Sequence, residues 1–354
     1  MAEYRRQLET AVRAVAFRSA TSFSWLGGAS SRSAARARRP LGLDAVRRYA
    51  TAALGARLYE SFYCHGGAQS VARLAVGAAA DPPRLVGATP FVAALSSANC
   101  GTGACEAGWE VRAIGYEADE VLVWRHGLEL RARRRECLTE SGAELAPGAR
   151  VTLRLPNEFL SLSPGFYLFQ GDAPAAADDA AGTVRVYWHL GPKGAAAFVR
   201  SVSTVLNRAT PLPFRAKVLR DPALYGRRDA AVLYVGGGDY EAVVGRLAEV
   251  RRAVARHLRP GVPAFVKELA PGVGVAEDPG LEHSFGEHRC RLVAEALLAA
   301  RDEGRHDVGA RMRTVEEHFA RAGLTLDAPY LNSGSVDRYC VWSHDAHPDK
   351  AATR

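Results

Sequence analysis

Residues 184–235 read VRVYWHLGPKGAAAFVRSVSTVLNRATPLPFRAKVLRDPALYGRRDAAVLYV, and their pattern is strand, helix, strand, loop, strand. Over Val184–Leu190, the apolar Val184, Val186, Trp188 and Leu190 alternate with Arg185, Tyr187 and His189. A period of two places the last three on one face. Pro192 opens a helix in which Ala195, Phe198, Val199, Val202, Val205 and Leu206 recur at helical spacing. Pro211 and Pro213 stop it. Phe214–Leu219 is the second strand, with Arg215 and Lys217 on one face, and Ala230–Val235 is the third, just after Arg227 and Arg228. One strand thus offers a histidine, the next a lysine, and the third begins at two arginines.

This set suits one kind of chemistry. Removing phosphate from a phosphoserine or phosphothreonine by elimination requires loss of a weakly acidic Cα proton and neutralisation of a dianionic leaving group. A lysine desolvated near other cations titrates well below about 10.4 and can serve as a base. A histidinium can protonate the departing oxygen, and arginines grip phosphate bidentately. Such a reaction needs neither a metal nor an organic cofactor, so none is expected. Composition alone equally fits a strand with a surface histidine and an amphipathic lysine.

The 354 residues can bury a full core as one large domain or two. Lys and Arg number 46 against 38 Asp and Glu, a net charge of +8 with a pI near 9.3. That balance is compatible with an anionic partner: a phosphopeptide, an acidic leader peptide or a nucleic acid. It also fits drift in an Ala-, Arg- and Gly-rich chain. The six cysteines form no CxxC pair, which argues against a zinc site. Reduced thiols in a chain of this length point to the cytoplasm. Arg5, Arg6, Glu9 and Arg13 interrupt the apolar N-terminal stretch, so no signal peptide is expected. No apolar run reaches the length of a membrane span.

Residues 1–110 read as mainly helical and 111–354 as an α+β catalytic region, with DAPAAADDAAG at 172–182 as a possible linker. In the first part, Leu8, Val12 and Val15 form a stripe, Ser30–Pro40 is a basic loop, and two helical segments flank SFYCHGG. Tyr59, Phe62 and Tyr63 are core candidates, and His65 is a turn residue beside Gly66 and Gly67. NCGTGACEAG at 99–108 lacks the lysine of a phosphate loop and reads as an ordinary loop. WEVRAIGY, EVLVWR and LELRARR then alternate as strands, with His126–Gly127 as a hairpin turn. Arg150–Leu155 and Gly165–Gln170 continue them around NEFLSLSPG.

Past residue 235, Asp239 is placed to cap a helix running to about His257, and Ala264–Leu269 is a short strand carrying Lys267. A Gly/Pro loop follows, and a helix starts at Ser284. A helix N-terminus favours anions, so Ser284, Arg289 and His288 are candidates for holding phosphate. Arg289 equally has Glu277 and Glu282 as possible ion-pair partners. His283 and His288 are spaced wrongly for two metal ligands on one helical face. Val315–Ala322 is a last helix, and the tail is irregular.

The segments YWHL, PFRAKVL, the YGRRDAAVLYV pattern, RPGVPAFVKELAPGVGVAEDP and SFGEHRCRLVAEAL together resemble the HopA-type type III effector family. RLPNEFLSLSPGFY adds Arg154, Pro156, Pro164, Gly165 and Tyr167. The family includes bacterial proteins that resemble phosphothreonine lyases and act as the lyase subunit of split (class V) lanthipeptide synthetases and of thioamidated-peptide pathways. The resemblance implies an α+β fold: a helical N-terminal part, then a mixed-sheet core of the phosphothreonine-lyase-like kind. It implies a catalytic histidine in a first strand and a lysine in a second, positions that fall on His189 and Lys217. Those lyases carry a phosphate-binding lysine two residues before the histidine. Tyr187 stands there, which leaves Arg185 or Lys267 to substitute. Arg227 is the leading phosphate ligand, with Arg228 beside it.

The expected function is therefore a phosphoserine/phosphothreonine lyase that converts a phosphorylated ribosomal precursor peptide to dehydroalanine or dehydrobutyrine. Its partners would be the precursor peptide (leader and phosphorylated core), a separate Ser/Thr kinase-like protein and a cyclase, with no membrane. The rivals are a non-catalytic, effector-like peptide- or protein-binding protein, and a nucleic-acid binder supported only by net charge.

Overall fold

The computed structural model describes residues 2–19, 22–25, 42–65, 89–115, 119–125, 127–139, 144–163, 165–174, 182–280 and 283–342. The basic loop at 30–40, the helical segment expected after Gly66, His126, Pro164, Glu282, most of the 172–182 linker and the chain end lie outside these residues.

The chain is α+β. A small antiparallel pair, β1 (Val15–Phe17) and β2 (Phe23–Trp25), follows helix α1 (Ala2–Ala14). The main sheet has seven strands: β8 (Glu158–Phe159), β9 (Phe166–Gln170), β10 (Thr183–Trp188), β11 (Arg215–Leu219), β12 (Ala231–Gly236), β13 (Lys267–Ala270) and β14 (Val273–Glu277). They lie in the order β13-β14-β10-β12-β11-β9-β8. Every pairing is antiparallel, so the sheet is not mixed. The reason lies in the organising stretch. The crossover through α4 (Ala195–Asn207), which packs against α3 (Pro90–Ala98), returns β11 in the same direction as β10. The two do not pair, because β12 inserts between them with opposite polarity.

The period-two reading of β10 holds. Val184, Val186 and Trp188 face α4 and α5 (Tyr240–Val254), and the Trp188 ring meets that of Phe198 at 5.4 Å. Burying each such side chain contributes about 1.5–3 kcal/mol. On the other face Tyr187 packs against Phe285, the first residue of α6 (Phe285–Asp302). Helix α2 (Leu43–Leu58), the π-helical turn Tyr59–Tyr63 that extends it, and α7 (Val308–Arg321) complete that layer. Phe62 and Tyr63 are buried as expected, and Tyr59 packs at the edge. Helix α7 begins at Val308, well before the expected Val315, because the Asp307 carboxylate caps it by accepting from the Ala310 amide at 2.8 Å.

Residues 104–155 form a second, five-stranded antiparallel sheet: β3 (Ala104–Ile114), β4 (Glu120–Arg125), β5 (Leu128–Arg133), β6 (Cys137–Leu138) and β7 (Arg150–Leu155), in the order β5-β4-β3-β7-β6. It has its own core around Trp109, Val111, Val121, Val123 and Leu153. Strand β3 crosses position 110, and the helices before it share the core of the main sheet. The Gly-rich loop ahead of β3 is fixed by Asp172, whose carboxylate accepts from the amides of Thr102 and Gly103 at 2.6 and 3.0 Å. Among the described residues, no helix is long and apolar enough to cross a membrane.

Candidate functional site

The register decides which expected residues can meet. Arg185 pairs with Tyr234 and Tyr234 with Arg215; Tyr187 pairs with Val232 and Val232 with Lys217. Residues directly opposite share a face, so Arg185, Tyr187, Tyr234, Arg215 and Lys217 lie on one side of the sheet. A cleft of about 390 Å³ opens there, lined by Leu168, Arg215, Lys217, Tyr234, Asp239 and Asp278 among others.

Lys217 is half-buried. Its ammonium lies over the ring of Phe166 at 4.3 Å and near that of Tyr234 at 5.7 Å. Among the described residues it makes no ion pair. Arg227 faces the same Phe166 ring at 5.9 Å. Its guanidinium is held edge-on by Asp229, with Nε to Oδ1 at 2.8 Å and Nη2 to Oδ2 at 2.7 Å, and it donates to the Tyr59 hydroxyl at 3.3 Å. Asp229 is buried. Although burial disfavours its charge, Arg227 and then Lys217 hold its carboxyl below the usual range. Two cations thus converge around one buried anion.

His189 sits just past the end of β10 and is buried. Its backbone is clamped by Gly272 O, 2.8 Å from its amide, and by the Arg259 amide, 2.9 Å from its carbonyl. Gly272 has φ +77°, and a Cβ there would collide with the Arg259 carbonyl, so this close approach requires glycine. The ring Nδ1 lies 3.0 Å from Pro260 O. A carbonyl only accepts, so Nδ1 carries the hydrogen and Nε2 is left to take or give a proton. Burial lowers the imidazole's pKa, and Arg228 and Arg259 lower it further. The register puts the Cα atoms of His189 and Lys217 two strands across and two residues along, about 12 Å apart. No hydrogen bond joins their side chains: the His189 ring bonds Pro260 O, and the Lys217 ammonium lies over Phe166. Arg228 lies between the His189 and Arg227 environments and donates to Val262 O at 3.1 Å. His65 is in a turn, as expected, near Arg227 and Arg228.

The remaining candidates are placed elsewhere or engaged. Arg185 forms an ion pair with Asp278 at 2.6 Å and stacks over Tyr234 at 5.2 Å, at the wall of the cleft. Tyr187 is buried against Phe285 and Tyr63 and does not reach the cleft. Lys267 is on the outermost strand, four strands or about 19 Å from Lys217. It faces the side of Val186 and pairs with Asp337 at 2.6 Å. Arg289 is fully buried, donating to Pro329 O at 2.9 Å and Leu331 O at 2.8 Å. It does not pair with Glu277, which binds Tyr339 and the Asn332 amide; Glu282, the other expected partner, is outside the described residues. Ser284 caps α6, and Glu287 closes the capping box, so a carboxylate already serves that helix end. His288 contacts Arg289, and burial with Arg289 and Arg291 brings its pKa to about 4.

Asp229, Tyr59, Phe166 and Tyr234 are the site residues that sequence reasoning did not single out, and Arg215, placed by alternation on the Lys217 face, was given no role. Period-two alternation could have supplied Tyr234. Nothing local in the sequence links Tyr59 or Phe166 to Lys217.

No curated protein sequence matches the chain. Among solved structures it is similar to the effector protein from Pseudomonas syringae pv. tomato strain DC3000, with 19% identity over 48% of this chain and 63% of that one, TM-score 0.38. It is also similar to the effector protein from Pseudomonas syringae pv. syringae strain 61, with 12% identity over 81% of this chain and 97% of that one, TM-score 0.38. The chain thus spans less than two thirds of the first of these. The profile of the HopA1 effector protein family matches residues 159–331, a region that holds the main sheet from β9 onward, with Lys217, Arg227 and His189. Over residues 159–331, just under half of its length, the chain is similar to the HopA1 effector protein family.

Proposed function

We propose that the protein is a phosphoserine/phosphothreonine lyase acting on a phosphorylated ribosomal precursor peptide. The observation that carries this reading is Lys217: an amine without an ion-pair partner among the described residues, over the Phe166 ring that Arg227 also faces, at the wall of a cleft. Lys217, as the base, takes the Cα proton of the bound residue. The Cα–H electron pair becomes the Cα=Cβ bond, and the Cβ–O bond breaks with its electrons leaving on phosphate. Arg227, pre-oriented by Asp229, binds that phosphate. His189, protonated on Nε2 when the dianion lies beside it, gives its proton to the bridging oxygen. The gap between Lys217 and His189 is where the phosphorylated residue lies, so base and acid flank it rather than touch. A separate kinase-like protein supplies the phosphoester, and a cyclase consumes the dehydroamino acid.

A non-catalytic peptide-binding protein is the second reading. It is favoured by the lowered pKa of His189, which leaves the imidazole neutral until an anion arrives. Incubating a phosphopeptide with wild type and Lys217→Ala, then trapping any alkene with a thiol, separates the two. Thiol adduct from wild type alone, with binding retained in the variant, supports the lyase. Binding by both with adduct from neither supports the second reading.

A further inference from the structure

We infer that Arg215 reads an anionic side chain two residues from the phosphorylated one, and that Glu106, contributed by the small sheet, is its positioning residue. The identity of the phosphorylated residue rests on the lyase reading; the recognition itself does not. Arg215 and Lys217 are alternate residues of β11 on the cleft-facing side. Their spacing along the strand, about 6.6–6.8 Å, is also the spacing of alternate side chains in an extended peptide. A peptide lying along β11 with its phosphorylated residue at Lys217 therefore presents its second neighbour to Arg215.

The guanidinium is built for such a contact. The Arg215 side chain is 46% exposed, yet its Nη2 donates at 3.0 Å to Glu106, a carboxylate only 4% exposed. Glu106 also accepts from Arg125 at 2.8 Å, so it is fixed from both sides. Among the described residues this is the one hydrogen bond of the Arg215 side chain, which leaves the other edge of the fork facing the cleft. Lys217 and Arg227 already serve the phosphorylated residue, one at its Cα proton and the other at its phosphate, so a further oriented cation on this face has a different anion to bind. The arrangement gives the five-stranded sheet a part in the site: it holds the specificity arginine.

The test is equilibrium binding of fluorescent phosphopeptides that differ only at the positions two before or two after the phosphoresidue, carrying Glu, phosphoserine, Ala or Lys. Wild type should favour one of the anionic peptides over the alanine peptide by about tenfold, and the Glu and phosphoserine arms decide which anion it takes. Arg215→Gln should erase the preference, weakening the anionic peptides far more than the alanine peptide. Glu106→Gln should reduce the preference without altering the alanine peptide's affinity, which a merely folding-related role would not do. Circular dichroism checks that each variant is folded, and Arg215→Lys, which keeps a charge that Glu106 can hold, should restore part of the preference if Arg215→Gln unfolds. Indifference of wild type to that position, or a preference that survives Arg215→Gln, overturns the proposal. A preference for Lys overturns it too and assigns the reading to the carboxylates of the cleft wall, Asp239 and Asp278. A preference without elimination sinks the lyase reading alone, and elimination without a preference sinks this proposal alone.

Discussion

Arg289→Ala separates a folding role from a phosphate-binding one. The sequence placed Arg289 one turn into a helix as a candidate phosphate ligand, whereas the structure buries it completely and ties it to two backbone carbonyls, Pro329 O and Leu331 O. Its guanidinium also covers the Phe285 ring at 4.9 Å. Truncation removes two charge-assisted hydrogen bonds and leaves two buried acceptors without donors, at about 1–3 kcal/mol each. It also opens the space that the side chain filled. The expected loss is about 3–5 kcal/mol of unfolding free energy, a large fraction of the total for a typical domain. Arg289→Lys keeps the charge but not the fork, and should lose about half as much. Urea unfolding followed by fluorescence measures the loss, and phosphopeptide affinity is measured on the variant while still folded. A loss below about 1 kcal/mol together with a large fall in phosphopeptide affinity would refute the reasoning and return Arg289 to the phosphate site.

Other consequences follow from the same geometry. Arg227→Ala should weaken phosphopeptide binding about tenfold or more, measured against the unphosphorylated peptide, since a charge-assisted contact is worth about 1.5–3 kcal/mol; unchanged affinity would remove Arg227 from the cradle. Lys267→Met should leave that affinity unchanged, because its partner is Asp337 on the far side of the sheet; a tenfold loss would contradict the placement. His288 titrates near 4 when folded and near 6.5 when unfolded, so the unfolded chain takes the proton first. Stability should therefore fall as pH drops from about 6.5 to about 4, and His288→Gln should flatten urea midpoints over that window; an unchanged slope would assign the fall to other groups. His189→Asn should slow elimination about a hundredfold or more from a phosphoserine peptide and less from an ester with a better leaving group; equal slowing would make His189 a positioning residue.

The strands of the site were legible because their signal is local. Alternation fixed the faces of Val184–Leu190 and of Phe214–Leu219, and the proline pair at 211 and 213 fixed the end of the intervening helix. Lys217 was placed on its face on that basis and lies at the cleft, and Arg227, just before the third strand, faces the same Phe166 ring. What the alternation could not supply is strand order. Lys267 has a good strand around it, but only the pairing of β13 with β14 shows that it stands at the opposite edge, on the other face. Arg289 and Ser284 were picked for lying at a helix N-terminus, and local sequence does not reveal that Glu287 and the carbonyls at 329 and 331 already occupy them. Glu106 was passed over because a single sequence gives no sign of which acidic residue will meet which arginine across more than a hundred positions; Asp229 lies only two residues from Arg227, but nothing local shows that it is buried there. The small sheet was read strand by strand and missed as a unit, since its separate core depends on β3 pairing with the distant β7.

The central claim is that Cα–H cleavage at Lys217 expels phosphate. A peptide whose phosphoserine carries deuterium at Cα tests it most directly, by mass spectrometry of the product together with a phosphate assay. The account predicts one phosphate released for each peptide that has lost both the deuterium and the elements of phosphoric acid, and no such product with Lys217→Ala. Phosphate released with the deuterium retained and a serine hydroxyl formed would mean hydrolysis, and would contradict the account, as would no phosphate release at all from a peptide that the protein binds.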